Sequence, residues 1–273
     1  MIVDGHFHVW PDRIAQRALA NPPASMVRFG DGTAAGAIAA QRAAGLDRSV
    51  CLGVANTADR VDGVNTYVGA LDEQHFIGFG TVHPDLSPEA NLASLRANGL
   101  RGVKIHPLFQ GYALDDPRLR AVLDALRGEF AVVVHVGHGG EGAERCTPRM
   151  MRDLVLALPG LDVIACHFGG YGLLDDAEEQ IIGLPIHVDT SWPPGLAALD
   201  PARVRRIIER HGSERVVFAS DWPMADPAAE IAAVRALGLA DDETTAILGP
   251  NLERLLAQLA RPDFPTPDGG SST

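Results

Sequence analysis

The sequence predicts an α/β fold, a single-domain (β/α)8 TIM barrel, from three observations. Eight short runs of β-formers alternate with longer runs rich in Ala, Leu and Arg. Strands that alternate with crossover helices are typical of a parallel sheet, and eight such strands close a barrel. The length of 273 residues lies near the roughly 250 residues typical of this fold. A doubly wound open sheet is the alternative, but no GxGxxG motif follows the first strand.

The predicted strands follow one another along the whole chain. They span residues 2–9, 49–54, 76–82, 100–106, 131–136, 162–168, 185–191 and 215–220. The helical runs between them begin with Pro, Asp or Thr and several end in Gly, as helix caps do. Such runs include 88–99, 116–128, 147–160 and 201–212. The segment 241–260 predicts one or two further helices that complete the barrel.

No linker interrupts the pattern, so we expect one domain over residues 1–260 and a flexible tail over 261–273. The chain is 46% apolar and 21% charged, which is ordinary globular composition. It has no apolar run long enough to cross a membrane and no N-terminal signal pattern. Three cysteines without CxxC spacing suit a reducing cytoplasm. The net charge of −12 argues against a nucleic-acid partner, and a homodimer stays open.

The chain opens with MIVDGHFHVWPD, in which His6 and His8 are two residues apart. Side chains alternate across a strand, so both imidazoles face one side and Phe7 faces the other. Two imidazoles on one face have the spacing to bind a single ion. Taken alone, an HxH pair is more often a pair of hydrogen-bonded histidines. For Asp4 the alternatives are a carboxylate that orients a ligand imidazole and a buried acceptor.

Polar side chains recur at the C-terminal ends of other predicted strands. They are Lys104 and His106 on strand 4, His135 on strand 5, His167 on strand 6 and Asp221 after strand 8. A TIM barrel forms its active site at this end of its strands. Imidazole and carboxylate together suit zinc, iron or manganese, and three to five such ligands leave a position for water. The pattern therefore predicts a catalytic metal site.

The stretches DGHFHVW, GVKIHP, VVHVGHGG, IACHFGG and FASDWP, in this order, resemble the amidohydrolase superfamily. The closer resemblance is to its amidohydrolase 2 branch of small TIM-barrel hydrolases and decarboxylases, and it spans nearly the whole chain. It implies that His6, His8, His135 and Asp221 hold a divalent metal, usually zinc. It also implies that His167 polarises the substrate or binds a second ion. Asp221 would take a proton from the attacking water and return it to the leaving group.

Lys104 has two chemically open roles. In dihydroorotase-like relatives a comparable lysine is carboxylated and bridges two metals. In the branch that this chain resembles one metal is more usual, which frees the lysine to bind an anionic substrate group. We expect one ion and an unmodified lysine. A lysine in a simple salt bridge is the remaining alternative.

Other residues are candidates for the rim of the pocket. His106, His138, Trp192 and Trp222 are predicted to contact the substrate, although a core role is equally compatible with Trp222. His83 is a further rim candidate. His187 is expected in the core, and His75 and His211 on the surface.

Three functions are compatible with these residues. The first is a metal-dependent hydrolase of an amide, lactone or other ester in a small molecule, with an anionic substrate as one option. The second is a non-oxidative decarboxylase on the same scaffold, and the third is a non-catalytic binding barrel. The strand-4 lysine, the short chain and the 5% aromatic content favour hydrolysis over decarboxylation.

Overall fold

A computed structural model of the protein describes residues 1–20, 28–138 and 140–259. The strands are β1 (Val3–Phe7), β2 (Arg48–Leu52), β3 (Phe76–Thr81), β4 (Gly102–Ile105), β5 (Ala131–Val134), β6 (Val163–Ala165), β7 (His187–Asp189) and β8 (Val216–Val217). The helices are α1 (Asp12–Ala18), α2 (Ala34–Ala44), α3 (Val61–Gly69), α4 (Pro88–Ala97), α5 (Pro107–Gln110), α6 (Pro117–Ala125), α7 (Pro148–Ala157), α8 (Leu174–Gln180), α9 (Pro201–His211), α10 (Pro227–Arg235), α11 (Asp241–Ile247) and α12 (Pro250–Gln258). The predicted tail, 261–273, lies outside the described residues.

The sheet confirms the predicted TIM barrel. Its eight strands pair in sequence order, from β1 to β8, and every pair is parallel. Seven of the strands lie within the segments that the sequence predicts, and β2 begins one residue earlier than predicted, at Arg48. The closing segment forms two helices, α11 and α12, one of the two predicted outcomes. None of the helices in the described ranges is both long and apolar enough to cross a membrane.

The barrel closes through backbone hydrogen bonds between β1 and the segment that follows β8. Gly5 N–H donates to the Phe218 carbonyl (2.8 Å), and His8 N–H donates to the Trp222 carbonyl (2.8 Å). Between them, Asp221 N–H donates to the His6 carbonyl (3.0 Å). The β1–β2 register shifts between Asp4 and Phe7. This seam brings the first and last strands of the barrel together at its C-terminal end.

Local signals in the sequence account for the helix boundaries. Thr147 accepts a hydrogen bond from Met150 N–H at the start of α7, and Pro148 occupies the first turn. Asp116 caps α6 in the same way through Arg118 N–H. A threonine or aspartate cap followed by proline is the expected start of a helix, because the side chain satisfies an N–H that has no partner within the helix.

Two apolar clusters hold the barrel together. The larger one lies between the sheet and the surrounding helices and includes Val103, Ile105 and Val188. The smaller one combines barrel-lining residues such as Val133 and Ile164 with leucines of α12. Along β4 to β7, side chains alternate between the surrounding helices and the barrel interior. Lys104 and Asp189 are at interior positions, in register with the barrel-lining residues. The strand pattern therefore carries polar side chains into the barrel.

Two histidines lie elsewhere than the sequence predicts. His211, expected on the surface, is fully buried. Its Nε2–H donates to the Ile186 carbonyl (2.9 Å), and its Nδ1 accepts from Gly183 N–H (3.1 Å). The surface prediction was wrong because this ring joins α9 to the loop before β7. His187, expected in the core, is only half-buried at the start of β7.

Candidate metal centre

His6 and His8 face the same side of β1, as the alternation predicts. Their Nε2 atoms are 3.1 Å apart. Phe7 points the other way, into the core, where its ring stacks on Trp222 at a centroid distance of 5.2 Å. The HxH motif thus directs two imidazoles to one point at the C-terminal end of the barrel.

Asp221 meets this pair across the closing seam. Its Oδ1 lies 3.4 Å from Nε2 of His6 and 3.5 Å from Nε2 of His8. The backbone at Asp221 has φ of +65°, a conformation that side-chain-bearing residues rarely adopt. Among the described residues, the other non-glycine positions with positive φ are His167 and Phe168. Strained backbone of this kind clusters at functional sites.

The hydrogen bonds of the two rings leave three acceptor atoms facing one another. His6 Nδ1–H donates to Asp189 (2.9 Å) and His8 Nδ1–H donates to the Leu52 carbonyl (3.2 Å). Both Nε2 atoms therefore carry lone pairs, and with Asp221 Oδ1 they form a triangle with edges of 3.1, 3.4 and 3.5 Å. Tetrahedral zinc with bonds of 2.0–2.1 Å has ligand–ligand edges of about 3.3–3.4 Å. The donor set fits a divalent ion.

Burial fixes the protonation state of these groups. It lowers the pKa of His8 to about 3 and that of His6 well below the ordinary value of 6.5. Neutral imidazole is the form that binds a metal. Burial also raises the pKa of Asp221 well above its ordinary value. A carboxylate in such surroundings stays ionised when a cation is beside it.

Lys104 lies next to this triangle and is fully buried. It is the only lysine in the chain. Its Nζ donates to Cys166 Sγ (2.9 Å) and is 3.4 Å from His6 Nε2. No carboxylate oxygen of the described residues lies within 4.0 Å of it. The Asp221 carboxylate interacts with this ammonium group at longer range, so Nζ is available to bind an anion by direct contact.

His135 and His167 form a second pair beside the first. His167 Nδ1–H donates to the Ser191 carbonyl (3.1 Å), so its Nε2 accepts from His135 Nδ1–H (3.2 Å). Both nitrogens of His167 are then occupied, whereas His135 Nε2 is buried without a described partner. His135 is not in the group of ligand atoms formed by His6, His8 and Asp221. Its free nitrogen suits a ligand, and the fourth-ligand role stays a prediction.

The predicted rim residues surround these histidines. The His106 ring stacks between His135 and Phe109, at centroid distances of 3.9 Å on each side, and its Nδ1 is buried without a described partner. His138 and Trp192 are half-buried. Trp222 is buried against Phe7. Substrate contact by these residues stays a prediction.

Asp4 accepts hydrogen bonds with Oδ1 from the backbone N–H groups of His6 (2.9 Å) and Ser220 (3.1 Å). Asp4 is therefore a buried hydrogen-bond acceptor, the second of the two roles considered for it. Its two hydrogen bonds join β1 to the segment after β8. His83, the further rim candidate, is buried, and its Nδ1 accepts from Asp85 N–H (3.2 Å).

Sequence reasoning missed Asp189 and Cys166. The Asp189 carboxylate accepts from the Nδ1–H of His6 (2.9 Å) and from the backbone N–H of His167 (2.7 Å). It also accepts from the N–H (3.1 Å) and the hydroxyl (2.6 Å) of Ser191. The signal was present in PIHVDTS, where an aspartate lies near the C-terminal end of a predicted strand. Cys166, next to His167, gave no signal beyond its place directly after β6.

Comparisons with known proteins agree with this fold. The family model for amidohydrolases matches residues 3–257. An uncharacterized TIM-barrel protein from Bordetella bronchiseptica is 18% identical, with a TM-score of 0.73 over 94% of this chain and 99% of that chain. A putative 2-pyrone-4,6-dicarboxylic acid hydrolase from Pseudomonas putida is 21% identical, with a TM-score of 0.65 over 94% and 97% of the two chains.

A decarboxylase has the same fold. The structure of 5-carboxyvanillate decarboxylase from Sphingomonas paucimobilis is 16% identical, with a TM-score of 0.66 over 95% of this chain and 99% of that chain. At such identities the likeness supports the fold alone. No curated protein matches the sequence.

The first prediction concerns the metal. The purified protein should hold close to one equivalent of zinc or a similar divalent ion, because two imidazole nitrogens and one carboxylate oxygen converge at the distances of a ligand triangle. The double substitution His6→Ala and His8→Ala should empty the site, as measured by elemental analysis after dialysis. His75→Ala, at a half-buried position before β3, is the control and should keep its metal. Full occupancy in the double variant would contradict the ligand assignment.

The second prediction concerns Lys104, which we expect to be unmodified. A second ion would need His167 as a ligand, and both nitrogens of that ring are occupied. The test is carbon-13 NMR of the protein in labelled bicarbonate. Since the chain has one lysine, a carbamate signal that disappears in Lys104→Met would belong to Lys104. Such a signal, with two ions about 3.5–4 Å apart in a crystal structure, would overturn the prediction.

Proposed function

The chain belongs to the amidohydrolase family, and from this premise we propose that it is a metal-dependent hydrolase. It cleaves an amide, lactone or other ester bond of a small molecule. The observation that carries the proposal is the triangle of His6 Nε2, His8 Nε2 and Asp221 Oδ1, with edges of 3.1–3.5 Å. We propose zinc, or another divalent ion such as manganese or iron, as the metal, and one ion rather than two.

Three side chains would hold the ion, and His135 would supply a fourth ligand through its free Nε2. When bound, a divalent ion polarises the scissile carbonyl and lowers the pKa of a bound water to about 7. Asp221 takes the proton from the attacking water and later gives it to the leaving group. Its burial, which favours the protonated form, makes it able to hold that proton between the two steps.

The surroundings of Lys104 support the proposal that the substrate is anionic. Its buried ammonium group has no carboxylate within 4.0 Å among the described residues, and Cys166 and His6 are its polar contacts there. A carboxylate or the oxyanion of a reacting carbonyl would supply the missing partner. A charge-assisted hydrogen bond of this kind is about twice as strong as one between neutral groups.

His167 acts through its neighbours in this proposal. Burial lowers its pKa to about 4, so the ring is neutral. Its Nε2 accepts the Nδ1–H of His135 and thereby turns the free nitrogen of His135 toward a ligand. The family resemblance implies that His167 polarises the substrate. We assign this role instead to His167 and His135 acting as a pair.

Decarboxylation is the second candidate, and one observation favours it. Although aromatic residues make up only 5% of the chain, several rings lie beside the site histidines. Trp10 stacks on His8, with a centroid distance of 5.8 Å, and Phe109 stacks on His106 at 3.9 Å. Tyr171 lies 5.3 Å from both His167 and Trp192. These rings suit a planar substrate, so the low aromatic content no longer argues for hydrolysis.

The third prediction concerns Asp221. Asp221→Asn should lower turnover by about two to four orders of magnitude, the range for a lost general base. Because Asp221 is also a predicted ligand, turnover is measured at saturating zinc and the metal content is measured in parallel. Asp124→Asn, at an exposed position on α6, is the control and should keep full turnover. Near-normal turnover in fully metallated Asp221→Asn would rule out the role.

The fourth prediction separates the two reaction classes. A screen of lactones, amides and aromatic acids identifies the substrate, and the reaction is then run in oxygen-18 water. We expect the label in the new carboxylate or hydroxyl of the product, because hydrolysis adds the oxygen of water. Carbon dioxide release, with solvent deuterium and no oxygen-18 in the organic product, would contradict hydrolysis and support the decarboxylase.

A further inference from the structure

We propose that Asp189 is the positioning residue of the metal centre: it sets the tautomer of His6, and it holds Ser191, whose oxygens accept the Nδ1–H of His167 on the other side. Its carboxylate lies at the C-terminal end of β7 and is 1% exposed. It accepts four hydrogen bonds, from His6, from the His167 backbone and twice from Ser191. The inference rests on the proposed metal site but not on the proposed reaction.

The first arm of this network acts on His6 directly. Asp189 Oδ2 accepts the proton on His6 Nδ1 at 2.9 Å. A neutral imidazole carries one ring proton, so Nε2 must be the lone-pair atom. Nε2 is the atom that faces His8 and Asp221. A carboxylate in this position fixes the ring orientation and raises the basicity of the ligand nitrogen.

The second arm passes through Ser191 and His167 to His135. His167 Nδ1–H is shared between two oxygens of Ser191, the carbonyl (3.1 Å) and the hydroxyl (2.9 Å), while the hydroxyl donates its own proton to Asp189 (2.6 Å). This proton on Nδ1 makes His167 Nε2 an acceptor, and His135 must then donate with its own Nδ1–H (3.2 Å). The result is a lone pair on His135 Nε2, the buried atom without a described partner.

One carboxylate therefore orients the free nitrogens of two predicted ligands from two directions. It also fixes the His167 backbone through the 2.7 Å bond to its N–H, at a residue with φ of +59°. The other buried carboxylates of the site make different contacts. Asp4 accepts from backbone N–H groups with Oδ1, and Asp221 faces the imidazole nitrogens that would bind the ion.

The experiment uses Asp189→Asn in the full chain. The amide has nearly the same shape, but its NH2 group placed against His6 Nδ1 would force the ring proton onto Nε2. Zinc affinity, measured by competition with a chromophoric chelator, should weaken about tenfold to a hundredfold, the range for lost outer partners of metal ligands. Nitrogen-15 NMR of the chelator-treated protein should show His6 with its proton moved from Nδ1 to Nε2. The His6 signals are assigned by their loss in His6→Ala.

Glu230→Gln is the matched control. Glu230 is also a buried carboxylate that accepts a backbone N–H, that of Leu196 (2.9 Å), but it touches none of the site histidines. Its variant should bind zinc within twofold of the unaltered protein. Asp189→Asn with unchanged zinc affinity and the His6 proton still on Nδ1 would overturn the proposal.

Ser191→Ala tests the second arm of the network independently, and it can be used if Asp189→Asn does not fold. It removes the hydroxyl between Asp189 and His167 and leaves the bond to His6 in place. His6 should keep its proton on Nδ1, and the His167 Nδ1 and His135 Nδ1 signals should shift because His167 Nδ1–H loses one of its two acceptors and keeps only the Ser191 carbonyl. Unchanged signals from both rings would overturn the second arm. None of these measurements uses a substrate, so a failure to find hydrolysis would count against the proposed function alone.

Discussion

The site depends on the seam that closes the barrel. Three backbone hydrogen bonds join β1 to the segment after β8, and the middle one links Asp221 N–H to the His6 carbonyl. A slip of one residue in this pairing would turn the HxH face away from Asp221, because side chains alternate along a strand. Asp4 adds a side-chain bond across the same seam, to Ser220 N–H. The metal ligands thus converge because the barrel closes in one register.

Charge balance explains why this region needs a cation. Asp189 and Asp221 are buried near one ammonium group, that of Lys104, and the surrounding imidazoles are kept neutral by burial. Four hydrogen bonds stabilise Asp189, whereas Asp221 Oδ1 faces two lone pairs. Polar groups buried without partners cost free energy, and the positive φ at Asp221 adds to this cost. A divalent ion would be a partner for both imidazole lone pairs and would stabilise the ionised form of Asp221.

The sequence predicted the fold well because its signals are local. Thr147 and Asp116 mark helix starts by their own side-chain bonds, and alternation along β1 alone places His6 beside His8. It predicted less of the site, because Asp189 owes its role to partners on β1 and after β6 that lie far away in the chain. His211 was misplaced for the same reason: its partners, Ile186 and Gly183, belong to a different loop.

Lys104 provides a physical reason to favour hydrolysis over decarboxylation that composition does not. In decarboxylation the departing carboxylate loses its charge, so a buried ammonium group bound to it would stabilise the ground state more than the transition state. In hydrolysis, negative charge develops on the carbonyl oxygen, and the same cation stabilises the transition state more than the ground state. Because no described carboxylate lies within 4.0 Å of Nζ, the ammonium group can contact the substrate oxygen directly. We infer that a decarboxylase with this site would have to hold its carboxylate away from Lys104, whereas a hydrolase gains from the contact.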